Sequence, residues 1–155
     1  MKKFLVIGGN NATTYKDIFP HIKSREVFVS TITGNLQQVG HFITHTGEEV
    51  MKQTLWYTNL DSRHLYMTRE LTETYDPARY PKYDNYDAIE VKCVKDIPKD
   101  YDGLMGVSKT IALYSPEQFE IVDVVNNPYI NGKAIYTRII VKLVRNEQDK
   151  QRQST

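Results

Sequence analysis

The sequence predicts a mixed α/β domain with more strand than helix: a mixed, strand-rich sheet carrying one to three short helices. Three observations carry that class. A short apolar run, a glycine-rich break and an amphipathic stretch open the chain as a strand–helix–strand unit. The middle holds β-rich runs around a glycine turn. The last third holds two alternating strands joined through Asn131-Gly132, a strong hairpin signal. At 155 residues the chain has the size of one ordinary domain, and no repeat or linker divides it. Residues 1–146 are therefore expected as one domain, and 147–155, without an apolar residue, as a polar flexible tail.

Residues 3–7 read as a short buried strand, because Phe4, Leu5, Val6 and Ile7 run without polar interruption, as in a sheet covered on both faces. Gly8-Gly9-Asn10-Asn11 ends it, since these residues accept the φ > 0 of a tight loop. Thr13 or Thr14 then caps a helix with Ile18, Phe19 and Ile22 on its apolar face. Pro20 inside that pattern makes the helix short, kinked or late to begin. Residues 26–33 form a second strand with Val27, Val29 and Thr31 on one face, and the unit favours a parallel pair. Residues 39–44 and 53–58 flank Thr46-Gly47-Glu48-Glu49, which suits an antiparallel hairpin or a mobile connection, and 63–68 give a further short strand. Residues 70–85 carry Pro77, Pro81 and mixed charge without a period, the pattern of a long surface loop.

Residues 88–94 alternate as a strand that contains Cys93, closed off by Pro98 and the Asp102-Gly103 turn. Ser115-Pro116-Glu117-Gln118 has the form of a capping box with proline at the first helical position, which predicts one or two helical turns. Residues 120–125 and 134–144 alternate again. On the second of these Ile135, Ile139, Val141 and Leu143 face one way, Arg138 and Lys142 the other.

Composition excludes several function classes. Lys+Arg 20 against Asp+Glu 19 leaves a net charge of +1, too little for a general field toward nucleic acid or anionic membrane. A single cysteine forms no internal disulfide and no cysteine-based zinc site. No apolar run approaches the ~20 residues of a membrane span, so a cytoplasmic chain is expected. His41 and His45 sit in a β-like stretch, where residues four apart lie about 13 Å from each other, and no metal is expected there. The sequence has neither a phosphate-binding glycine fingerprint nor a nucleophile elbow, so no catalytic, cofactor or metal residue is assigned.

Tyrosine is the unusual count. There are 11, and five of them (Tyr75, Tyr80, Tyr83, Tyr86, Tyr101) lie between positions 75 and 101. Packing beneath a long irregular segment accounts for such rings, and recognition surfaces are enriched in them too. The candidate interaction surface is Tyr80, Lys82, Tyr83, Asp84 and Tyr86, with Trp56 and Tyr101.

Several phrases are similar to a known family. They are residues 4–8 and 10–20, Trp56-Tyr57-Thr58-Asn59-Leu60, Tyr80-Pro81-Lys82-Tyr83-Asp84-Asn85-Tyr86-Asp87-Ala88-Ile89-Glu90-Val91, then 94–103, 116–121 and 130–133. In this order they resemble the C-terminal part of the EcoRI-type adenine-specific DNA methyltransferases, over almost the whole chain. The resemblance implies a truncated methyltransferase-like, Rossmann-like fold, whose full version binds S-adenosylmethionine at the carboxyl ends of its strands. It also implies an Asn/Asp-Pro-Pro-Phe/Tyr loop that holds an adenine turned out of the duplex. In the family that motif and the cofactor loop lie upstream of the phrase matched at Phe4. The chain has no Pro-Pro, and Asn127-Pro128-Tyr129 lacks the second proline. Gly106-Val107-Ser108-Lys109-Thr110-Ile111 departs from the family's Gly-Val-Pro-Ile-Thr-Phe, and residues 37–52 follow no family phrase.

The resemblance without those loops implies a non-catalytic binding protein. Met1 directly before a complete strand points to a free-standing product. The expected role is inhibition of a host nucleic-acid-targeting nuclease, a restriction enzyme or a CRISPR effector, by protein–protein binding in the host cell cytoplasm, with no cofactor. One alternative is a piece of a split adenine methyltransferase that needs a partner chain. Another is a small DNA-binding module using Trp56, Tyr80, Lys82, Tyr83 and a basic face of Arg138 and Lys142.

Overall fold

A computed structural model describes residues 2–30 and 39–146. The chain gathers into two compact units, Met1–Met67 and Thr68–Thr155. The mixed, strand-rich α/β class holds, with ten strands, one five-residue α-helix and four short 3-10 segments among the described residues. The expected end of the second strand at 31–33 and the tail at 147–155 lie outside the described residues.

The first unit contains β1 (Leu5–Gly9), a 3-10 turn (Asn10–Thr14), α1 (Phe19–Lys23), β2 (Phe28–Ser30), β3 (Val39–Ile43) and β4 (Glu49–Thr58). Everything is hung on β4. Both β1 and β2 pair antiparallel with its C-terminal half, Leu5 and Phe28 each opposite Thr58, and β3 pairs with its N-terminal half. β1 and β2 therefore run parallel to each other, as the strand–helix–strand pattern requires, but β4 lies between them and they do not pair. A hairpin turns where expected, with Gly47 at φ +84 and the Thr44 N–H donating to the Glu48 carbonyl at 2.9 Å, but its return strand begins at Glu49: β3 pairs with Glu49–Gln53, and the expected partner at 54–58 lies against β1 and β2.

The helix begins late because Pro20 is tolerated only in a first turn. It ends at Arg25, in the left-handed region at φ 62, where the Glu26 N–H turns back to the His21 carbonyl. Thr13 caps nothing on α1; its hydroxyl donates to the Asn10 carbonyl inside the 3-10 turn. Phe19, Ile22, Val27, Phe28, Val29, Leu55 and Tyr57 make the unit's core, so Val27 and Val29 do not alternate with an exposed Phe28. Residues 63–65 turn as a 3-10 segment where a strand was expected, because the Asp61 carboxylate binds both the backbone N–H and the guanidinium of Arg63.

Residues 70–85 of the second unit are irregular, as expected, apart from a bridge between Lys82 and Ile89. There follow β5 (Ile89–Lys92), β6 (Met105–Val107), β7 (Phe119–Val125), β8 (Tyr129–Ile130), β9 (Lys133–Ala134) and β10 (Arg138–Leu143). The main sheet runs β5-β6-β10-β7, with β5 and β6 parallel and the other pairs antiparallel. Asn131 at φ 49 and Gly132 at φ 77 make the two-residue turn between β8 and β9 that their sequence demands. Cys93 lies one residue beyond β5, half-buried, and not inside a strand. Ser115 to Gln118 closes a single turn without becoming a helix, the Gln118 and Phe119 N–H groups both donating to the Ser115 carbonyl at 3.1 Å. Ile139, Ile140 and Val141 are all fully buried, because β10 is an inner strand covered on both faces, with an irregularity between Ile140 and Val141.

The two glycines ending β1 differ from expectation. Neither has a positive φ, and Gly9 is extended at φ −63, ψ 145. Gly8 is required by proximity, since a Cβ there would stand 2.9 Å from the buried Tyr57 ring, whereas one on Gly9 would meet nothing within 4 Å. Gly8→Ala is expected to cost about 1–3 kcal/mol in urea unfolding, and Gly9→Ala to stay within about 0.5 kcal/mol. Equal effects would show that the Tyr57 ring does not set this position.

Candidate functional site

In the first unit, the end of β1, the 3-10 turn and the start of β4 enclose an open groove of about 510 Å³ lined by Asn10, Tyr15, Phe42, Lys52 and Gln53 among others. The Asn10 side-chain amide donates to the side-chain oxygen Oε1 of Gln53 at 2.7 Å and ties turn to strand. Tyr57 anchors the end of β1, its hydroxyl donating to the Gly9 carbonyl at 2.7 Å. Burial pushes that hydroxyl from 10.0 up to about 12. Two extended glycines do not build the nest of converging N–H groups that grips a phosphate. Trp56 lies half-buried on β4, in register between Ile7 of β1 and Ser30 of β2. His41 is paired with Glu49 across the hairpin at 2.8 Å.

In the second unit the tyrosines divide. Tyr80 and Tyr83 are buried, so their rings belong to the core and not to an exposed interaction surface. The Tyr80 hydroxyl donates to the Asp96 carbonyl at 2.8 Å, with the Arg79 guanidinium 5.4 Å from its ring centre. The Tyr83 hydroxyl donates to the Glu90 carboxylate at 2.5 Å, and the same carboxylate accepts from Arg138 Nε at 3.1 Å. Burial first, and then the Glu90 charge, hold the Tyr83 proton far above the ordinary range, so the group is a permanent donor. Asp84 is spent on structure: its carboxylate accepts from the Asn131 and Gly132 N–H groups at 3.2 and 2.8 Å, which pins the β8–β9 turn. Tyr86 is half-buried and donates to Asp123 at 2.9 Å. Tyr101 is half-buried beside Tyr75, ring centres 4.5 Å apart. Lys82 is exposed, 3.5 Å from Asp87.

The basic face assigned to Arg138 and Lys142 is not there. Arg138 is buried in its ion pair with Glu90, and only Lys142 of the two is exposed. The parity rule placed Arg138 outward because it cannot see that Glu90 and the Tyr83 ring, distant in sequence, cover that end of the strand, whereas Lys142 further along stays in water. Glu90, Arg138 and Gly106 form a group that strand parity alone does not reveal. The available signal was Gly106 between two apolar residues of a strand, a mark of close approach by another group. A Cβ on Gly106 would overlap the Tyr83 hydroxyl.

The Tyr57 shift sets a pH dependence. The folded group keeps its proton to about 12 while the unfolded one loses it at 10.0, so the unfolded state binds fewer protons between these values. Its stabilising contribution is complete below pH 10.0 and is lost as pH rises toward 12. Denaturant unfolding across this window is expected to show a decline in stability that Tyr57→Phe reduces. An unchanged decline in that variant would mean that Tyr57 titrates as a free phenol.

Comparison with known proteins gives concordant matches. The family described as adenine-specific methyltransferase EcoRI matches residues 1–155. The type II methyltransferase M.EcoRI of Escherichia coli is 37% identical over 163 residues, covering 91% of this chain and 50% of that protein. M.MgeORF184P of Mycoplasma genitalium, also a type II methyltransferase, is 34% identical over 173 residues, with 97% and 55% covered. M.MpnI of Mycoplasma pneumoniae, another type II methyltransferase, is 33% identical over 173 residues, with 97% and 54% covered. The chain thus spans about half the length of the curated relatives it matches. No solved structure matches. Among the described residues, no helix is long and apolar enough to cross a membrane.

These matches overturn two expectations. A non-catalytic inhibitor of a restriction nuclease or CRISPR effector finds no support in them, since the family and all three relatives are methyltransferases. The expectation of a non-catalytic protein falls with it: the family and its relatives are enzymes, and the chain, which lacks Pro-Pro, matches only about half of M.EcoRI.

Proposed function

Since this chain belongs to the adenine-specific methyltransferase EcoRI family, we propose that it serves as one section of an adenine-specific DNA methyltransferase, completed by polypeptide that supplies the other half of the relatives' length. The observation that carries this reading is the family match over all 155 residues, together with three methyltransferase relatives of about twice the matched length. The completing polypeptide, in the same chain or a second one, brings the methyl-donor site and the loop that holds the target adenine. DNA is the substrate, and the cytoplasm is the compartment.

The donor such enzymes use, S-adenosylmethionine, carries a sulfonium cation. The described lining of the first unit's groove offers it Lys52 and no carboxylate, a set that does not match a cation. The donor contacts are therefore not assigned to that groove, and no step of the reaction is routed through it. What this chain contributes is frame: β4 gathers three strands in the first unit, and the tyrosine-rich segment of the second is locked in place by Tyr83, Asp84 and Tyr86.

Co-expression of this chain with the portion of M.EcoRI outside the matched half tests the proposal. Transfer of labelled methyl groups to adenine in duplex DNA is expected to be at least about tenfold faster with this chain than without it, a difference of ~1.4 kcal/mol. An inert mixture, or equal transfer by the added portion alone, would remove this chain from the enzyme.

A further inference from the structure

β1 is a strand whose composition and burial disagree. Leu5, Val6 and Ile7 are consecutive, so their side chains point alternately to both faces of the sheet, and all three are apolar. Such a strand is normally covered on both faces. Here Leu5 is 56% exposed, and Val6 and Ile7 are 49% exposed each. Among the described residues β1 pairs with β4 alone, so no strand lies along its other edge, and at its end the Gly9 carbonyl accepts from the Tyr57 hydroxyl. Exposed edge strands are usually blunted by lysine, proline or a bulge, and Leu-Val-Ile-Gly-Gly has none of these. By contrast β3, an exposed strand of the same unit, places a glycine and a histidine between its apolar residues.

We infer that the free edge of β1 is the docking line for the rest of the methyltransferase: a strand of the completing polypeptide pairs along Leu5–Gly9, and its flanking segments cover Leu5, Val6 and Ile7 on both faces. The inference rests on the proposed function. The occupant is chosen by two facts, the half-length coverage of all three relatives and the two-faced apolar character of β1. A surface ligand would need one face, whereas continuation of a sheet needs an edge and both faces.

The test uses the full chain co-purified with the portion of M.EcoRI outside the matched half, followed by hydrogen exchange with peptide-level readout. In the complex the amides of Leu5–Gly9 are expected to exchange at least about tenfold more slowly than in the free chain, while those of Arg138–Leu143 stay unchanged. Val6→Lys is expected to weaken the complex at least about tenfold, and Ile43→Lys, on a residue 78% exposed in β3, to leave it intact. Should Val6→Lys not fold, the exchange measurement on the unsubstituted chain decides alone. A complex that methylates DNA while β1 exchanges as in the free chain overturns the docking line and leaves the methyltransferase role standing. Protection of β1 without methyl transfer upholds the docking line and removes the catalytic role. Failure of the two polypeptides to associate overturns both. A free chain that is already dimeric, with β1 protected, assigns the edge to a second copy and overturns the inference.

Discussion

The ion pair between Arg138 and Glu90 is the interaction on which the second unit is built. Its side chains are only 9% and 13% exposed, and two charges brought that far from water hold together only if their remaining hydrogen-bonding capacity is met. Tyr83 meets it from the long loop, with a hydroxyl that keeps its proton. The geometry needs an empty position between the partners. Glu90 of β5 stands in register with Gly106 of β6, and Gly106 with Ile140 of β10, so the pair reaches across a residue with no side chain. Any larger residue would displace the Tyr83 ring and leave the carboxylate with one partner fewer.

The same cluster decides what the tyrosine-rich segment is for. With Tyr80 and Tyr83 buried, Asp84 capping the β8–β9 turn and Tyr86 bonded to Asp123, a segment with almost no regular structure is held at four successive points. It is irregular without being loose, because its polar groups are satisfied by neighbours instead of a ladder. The two units thus show opposite fates for the same kind of strand. In β10, three consecutive apolar residues are completely buried between neighbouring strands and covering layers. In β1, three consecutive apolar residues are half-exposed beside a single neighbouring strand.

Where the signal was local, the sequence was legible. Asn131-Gly132, Thr46-Gly47 and Pro20 each fix a backbone conformation by their own chemistry, and each appears where that chemistry puts it. The family phrases were legible too, since long strings in order depend on no structural inference. What failed depended on distant residues. Strand parity puts Arg138 on a wet face because its covering partners, Tyr83 and Glu90, are far off in sequence, and Gly8 reads as a turn residue because its real neighbour, Tyr57, is 49 positions away. β6 and the 3-10 segment Lys109–Leu113 were missed because three to five residues are too short for a period to show. Function was not legible from the missing motifs, because the chain matches only about half the length of its methyltransferase relatives.

A double-mutant cycle between Glu90 and Arg138, read by urea unfolding of the whole chain, tests the central ion pair most directly. Glu90→Leu and Arg138→Met are each expected to destabilise the protein by about 3–5 kcal/mol, because each strands a buried charge. Together they are expected to cost well under the sum, with a coupling of more than about 1 kcal/mol. Costs that add to within about 0.5 kcal/mol would show two independent charges and contradict the account.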